Sequence, residues 1–160
     1  MRLWMAANGP RSARVAAEIA DELVTSVKDA AATEEHVIAP YRHSRAERGD
    51  AGVVMATRRC ILAANEDEAW EAVRPLRGLR VPGRSDVGDP AVLRRRADDT
   101  GRDAVLARYP IARSVDDLVA LFRPLVDDLR ADYVSVQIAS TDAERAIGVV
   151  GRTLLPTLRS

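Results

Sequence analysis

Arg2-Leu3-Trp4-Met5-Ala6-Ala7-Asn8-Gly9-Pro10-Arg11-Ser12 opens the chain with an apolar run, a turn and a helix start; Leu23-Val24-Thr25-Ser26-Val27-Lys28 follows as a second run. The first run reads as a buried strand ended by Asn8-Gly9-Pro10. Pro10 suits the first turn of a helix, because its missing N–H would have no intrahelical partner there. Ala13, Ala16, Ala17 and Ala20 then line one helical face with small side chains, a pattern for close packing on a sheet. A strand, a helix and a second strand in so short a stretch make a crossover unit. Such units join parallel strands on a right-handed path.

The same alternation continues. Thr33-Glu34-Glu35 reads as a helix start with Thr33 as N-cap and acids in the first turn. Val53 to Ala64 is the longest strand candidate, and Asn65-Glu66-Asp67-Glu68 caps the next helix with a capping box. Pro75 to Pro90, with three Pro and three Gly, is a loop-rich insertion, followed by an Arg-rich helix. Ser114 caps an amphipathic helix whose apolar face holds Leu118, Leu121, Phe122, Leu125 and Leu129. Tyr133-Val134-Ser135-Val136-Gln137-Ile138 is the last strand; Thr141-Asp142-Ala143-Glu144 is a second capping box, and a final helix runs towards Pro156. The expectation is one α/β domain over residues 1–160, built of four βα units with an insertion at about 75–113.

Bulk properties narrow the function. A chain of 160 residues with 47% hydrophobic and 30% charged residues buries a real core. No apolar run approaches the roughly 20 residues of a membrane helix, and the first residues lack the layout of a signal peptide. The single cysteine, Cys60, fits a reducing cytoplasm and lies inside a strand as a small core residue. Zero net charge argues against a general nucleic-acid binder. His36 and His43 stand two helical turns apart, too far to share a metal. The pairs Asp98-Asp99, Asp116-Asp117 and Asp127-Asp128 read as caps and solvated charges. No Ser-His-Asp set, metal cluster or Walker loop is present, so neither a catalytic residue nor a metal is assigned.

In parallel α/β folds ligands gather at the C-terminal ends of the strands. Two loops there stand out. Asn8-Gly9-Pro10-Arg11-Ser12 brings backbone and a helix N-terminus towards an anion. Thr25-Ser26-Val27-Lys28 carries the single lysine among 24 basic residues. Lysine is a compact, flexible point charge, and in an arginine-rich chain its use marks a position suited to a phosphate. Arg84 and Arg108 are isolated basic residues of the insertion.

Taken in order, Leu3 to Pro10, Thr25 to Lys28, Arg74-Pro75-Leu76, Gly88-Asp89-Pro90, Ala107-Arg108-Tyr109 and Leu154-Leu155-Pro156-Thr157-Leu158-Arg159 resemble the C-terminal half of luciferase-like (β/α)8 TIM-barrel oxidoreductases. Within that superfamily the chain looks most like the coenzyme F420-dependent glucose-6-phosphate dehydrogenase group. The resemblance implies that the four strands are strands five to eight of the barrel. It implies that Asn8, Gly9, Arg11 and Ser12 help to hold F420, and that Thr25, Lys28, Arg84 and Arg108 grip a sugar phosphate such as glucose 6-phosphate. It also implies hydride transfer from the sugar to the deazaflavin, with the catalytic His and Glu on the first four strands. This chain starts just before the fifth, so it is expected to be inactive alone and to pair with an N-terminal half-barrel or with itself. The alternatives are a non-catalytic binding or dimerising remnant, and an FMN-dependent monooxygenase of the same superfamily. No nucleic-acid or membrane partner is expected.

Overall fold

The structure is a computed structural model and describes residues 2–159. Strand β1 (Trp4–Ala6) leads into helix α1 (Pro10–Ile19), and strand β2 (Glu22–Ser26) into helix α2 (Ala30–Thr33). A π-helical turn (Glu34–Ile38) joins α2 to α3 (Ala39–Ala46), and β3 (Val53–Leu62) is followed by α4 (Glu66–Val73). The insertion holds two 3-10 segments (Arg74–Arg80 and Arg84–Asp86), helices α5 (Pro90–Asp98) and α6 (Arg102–Leu106), and a two-residue strand β4 (Ile111–Ala112). Helix α7 (Val115–Asp127), β5 (Tyr133–Ala139), α8 (Ala143–Val149), a second π turn (Val150–Leu154) and α9 (Leu155–Arg159) complete the chain. The expected alternation is present. The insertion is more ordered than its Pro and Gly content implies, and β4 was not anticipated.

The chain divides into two compact units, one of residues 2–58 with 119–137, the other of residues 59–118 with 138–159. In the first unit β1 pairs parallel with β2, and β2 with β3, in the register Leu23↔Val54, Thr25↔Ala56 and Ser26↔Thr57. Strand β5 also pairs with β3. Residues paired in register share a sheet face. Leu23 and Thr25 therefore lie with Val54 and Ala56, all buried. Ala13, Ala16 and Ala17 of α1 are fully buried, so the small-residue face does pack inward as the sequence indicates. In the second unit the end of β3 pairs parallel with β4 at Ile61↔Ile111 and Leu62↔Ala112. Its core gathers Ile61, Ala69, Val73, Val105, Leu106 and Tyr109.

Three local expectations are corrected. Thr33 is not an N-cap: Asp29 is, its carboxylate accepting from Ala32 N at 2.7 Å, while Thr33 Oγ1 donates back to Asp29 O at 2.6 Å inside the helix. An ionised carboxylate is the stronger acceptor and sits one turn earlier. Likewise Asp142, not Thr141, caps α8 through Arg145 N at 2.9 Å, and Thr141 Oγ1 donates instead to Glu68 Oε1 at 3.2 Å. Leu121 is half-buried, unlike its neighbours on α7. Both π turns end two residues before a proline, Pro40 and Pro156. A proline ring clashes with the carbonyl four residues earlier, and a wider turn there relieves it. The last helix therefore runs through Pro156 rather than stopping at it.

Candidate functional site

The C-terminal ends of β1 and β2 lie side by side, because Ala7 N donates to Val24 O at 2.9 Å beyond the paired residues. There Asn8 ties the two loops together. Its Oδ1 accepts from Ser26 N at 3.0 Å and from Thr25 Oγ1 at 3.5 Å. Asn8 needs no left-handed backbone, since Arg130 is the one non-glycine residue at positive φ among the described residues. A side chain at this position adds a cross-loop brace without backbone strain.

Gly9 is the N-cap of α1 and supplies no side-chain cap. The first turn carries no acid, and a Cβ at Gly9 would meet nothing within 4 Å. Ser12 Oγ donates to Gly9 O at 3.0 Å, and Arg11 is exposed beside it. Unpaired N–H groups, the positive end of the helix dipole, open space and an arginine together suit an anion.

The second loop begins where the β2–β3 ladder ends, with Val27 N donating to Thr57 O at 2.8 Å. Lys28 is exposed, and Asp29 then caps α2. Thr25 is 1% exposed, on the buried sheet face, with its hydroxyl directed at Asn8. The exposed hydroxyl residue of the loop is Ser26, beside the buried Thr25. Sequence reading missed Arg58. It is 8% exposed, on the face of β3 shared with Val54, Ala56 and Cys60. Its guanidinium donates Nε to Val27 O at 3.2 Å, Nη2 to Lys28 O at 2.9 Å, and Nη1 to Leu121 O. The strand alternation carried the signal: period two puts position 58 on the buried face, where an arginine is unusual.

Arg84 and Arg108 belong to the second unit, and both are exposed. Arg84 opens the 3-10 turn after Gly83, and Arg108 follows α6. The adjacent Tyr109 is buried, with Arg80 stacked 4.3 Å over its ring and donating Nε to its hydroxyl at 2.9 Å. His36 and His43 are exposed, near Glu35 and Glu47 respectively. Among the described residues no group of His, Cys, Asp and Glu is placed to hold a metal, and no helix is long and apolar enough to cross a membrane.

A second feature of the first unit lies at the opposite, N-terminal ends of its strands. An open cleft of about 480 Å³ is lined by Arg2, Asp21, Glu22, Arg45, Asp50 and Asp132, among others. Arg2 Nη1 donates to the buried Glu22 at 2.9 Å, and that bond holds the Arg2 guanidinium above its ordinary value. Arg45 pairs with Asp50 and holds its carboxyl below the usual range. These pairs brace the base of the sheet.

The family model described as luciferase-like monooxygenase matches residues 1–122. The chain belongs to the luciferase-like monooxygenase family. No curated protein matches it by sequence. Among solved structures it is similar to an F420-dependent secondary alcohol dehydrogenase in complex with an F420-acetone adduct, at 19% identity and TM-score 0.79. That match covers 100% of this chain and 49% of the other. It is also similar to the coenzyme F420-dependent tetrahydromethanopterin reductase from Methanopyrus kandleri, at 21% identity and TM-score 0.65, covering 99% of this chain and 51% of that one. An EDTA monooxygenase from Chelativorans sp. BNC1 aligns at 13% identity and TM-score 0.57, over 96% of this chain and 45% of that one. The chain thus spans about half the length of these structures. Its α/β fold with a parallel sheet is that of half a luciferase-like TIM barrel.

Proposed function

We propose that this luciferase-like chain forms the F420-tail and substrate-anion half of an F420-dependent oxidoreductase acting on a phosphorylated alcohol such as glucose 6-phosphate. The observation that carries the reading is the pair of neighbouring strand ends joined by Asn8, one opening onto the uncapped, acid-free start of α1 and the other presenting the exposed Lys28. Adjacent cationic loops at the C-terminal ends of parallel strands are placed to hold a cofactor and its substrate together. The F420 dependence named for two of the similar structures supports the cofactor. The sugar phosphate is what the resemblance to the glucose-6-phosphate dehydrogenase group implies, and the exposed Lys28 supports an anion there.

Asn8, Gly9, Arg11 and Ser12 hold the anionic tail of F420, and the bound deazaflavin supplies the hydride acceptor. Lys28 grips the substrate phosphate as a point charge. Ser26 offers it a hydroxyl, and Thr25 braces Asn8 from behind. The family resemblance names Arg84 and Arg108, both exposed in the second unit, as the further candidates for a phosphate grip. The remaining barrel strands, with the acid/base groups, come from an N-terminal half, on the same or another chain; pairing with a second copy would cover the open edges without supplying those groups. The 160-residue chain alone then reduces no F420.

Calorimetric titration of glucose 6-phosphate into the purified chain, beside Lys28→Ala, tests the anion grip. Saturable heat that the variant loses is the expected result. Heat that Lys28→Ala leaves unchanged, or no heat from a folded chain, overturns it.

A further inference from the structure

Arg58 holds the loop that carries Lys28. The β2–β3 ladder stops at Val27, whose N–H is the last of the loop to reach a β3 carbonyl. Ser26↔Thr57 is the last register pair of the two strands; past it the chain turns towards α2, and the carbonyls of Val27 and Lys28 accept from the Arg58 guanidinium. Arg58 takes the place of the ladder with a side chain. Three N–H groups of one planar guanidinium meet Val27 O, Lys28 O and Leu121 O, the last on α7. A rigid fork bonded to two successive carbonyls fixes both position and orientation of that peptide segment, which a lysine's single ammonium cannot copy. The burial makes the choice informative. An arginine among Val54, Ala56 and Cys60 costs desolvation that a leucine at position 58 would not.

We propose that Arg58 is the positioning residue of the anion grip: it locks the main chain at Val27 and Lys28 so that the Lys28 ammonium is presented at the strand ends. This rests on the reading of Lys28 as the group that binds a phosphate. Arg58 itself faces the buried side of the sheet and touches no ligand.

The test is titration of inorganic phosphate into the full chain, followed by the amide NMR shifts of residues 26–30, for wild type, Arg58→Met, Arg58→Lys, Lys28→Ala and the Lys28→Ala/Arg58→Met double variant. Arg58→Met is expected to weaken phosphate binding by the folded protein about tenfold, the scale of a lost charge-assisted bond. In the Lys28→Ala background the same change is expected to have no further effect, because Arg58 acts through Lys28. Arg58→Lys keeps charge and stem and is expected to fold with binding still several-fold weaker than wild type. If Arg58→Met does not fold, the Arg58→Lys result decides. Wild-type affinity in folded Arg58 variants of reduced stability makes Arg58 purely structural and overturns the proposal. So does an effect of equal size with and without Lys28. A wild type that binds no phosphate overturns the Lys28 reading itself, and that failure is visible before any Arg58 variant is measured.

Discussion

A methyl group at Gly52 has no room. The residue sits at φ +67°, and a Cβ there would lie 2.6 Å from Tyr41 Cε1 and 3.0 Å from Arg45 Cγ. Tyr41 is fully buried, so its ring cannot step aside. Gly49 is also left-handed, at φ +85°, but has open space around it. The two glycines separate backbone strain from steric clash. Gly49→Ala should cost about 1 kcal/mol from the left-handed backbone alone. Gly52→Ala should cost roughly 2–4 kcal/mol, because overpacking adds to that strain. Urea denaturation of the two variants measures the difference; equal costs would mean that the Tyr41 ring yields. At this scale Lys28 was legible because it is chemically alone, the other 23 of 24 basic residues being arginine. The same abundance hid Arg58. Only its register in β3 distinguishes it from its solvated neighbours, and that register matters only once the ends of β2 and β3 are known to be adjacent.

Elements were legible where one pattern had no competitor. Leu118, Phe122, Leu125 and Leu129 repeat at helical spacing, and all four are fully buried. Phe122→Ala should cost about 3–5 kcal/mol in denaturant melts, since the cavity it leaves cannot collapse between packed elements. Caps were less legible where two acceptors stood close together. At Thr33 and Thr141 the pattern of a hydroxyl followed by an acid was present, yet Asp29 and Asp142 took the amides. Ser114 had no such rival upstream. Its Oγ accepts from Asp117 N at 3.1 Å, and Asp117 accepts in return from Arg113 N at 2.8 Å and Ser114 N at 3.0 Å. The bond from Arg113 N, with the others, holds the Asp117 carboxyl below its ordinary value. A carboxyl that is more acidic folded than unfolded stabilises the fold above the ordinary aspartate value of about 4. That contribution disappears as pH falls through the lower folded value. Melting temperature should therefore drop more steeply below about pH 4 in the wild type than in Asp117→Asn, which has no charge to lose. Parallel curves would show that the cap's charge does not contribute.

At the scale of the whole molecule, four βα units are half of an eight-stranded barrel, and the chain spans 49% and 51% of two F420-dependent structures of that fold. An isolated set of barrel strands leaves ladder groups without partners at its edges. The first unit shows where that pressure falls. Strand β1 pairs only with β2 among the described residues. Every residue of β5 is at least half-open to solvent or of intermediate burial, and Tyr133 at its start is 51% exposed. Leu3, just before β1, is 50% exposed, and Trp4 meets the Tyr133 ring edge-on at 5.7 Å. Exposed apolar side chains beside unpaired strand edges favour pairing with further strands, since closure satisfies the ladder and covers the rings in one step. Purified alone, the chain has only itself as a source of such strands. Sedimentation velocity should then report about twice the 17.4 kDa of one chain. Lysine at both edge positions, Leu3→Lys with Tyr133→Lys, should shift the population towards monomer, because a charged edge resists strand addition. A wild-type chain that sediments as a monomer at all concentrations would mean that the edges are content without partners, and the self-pairing expectation would fall.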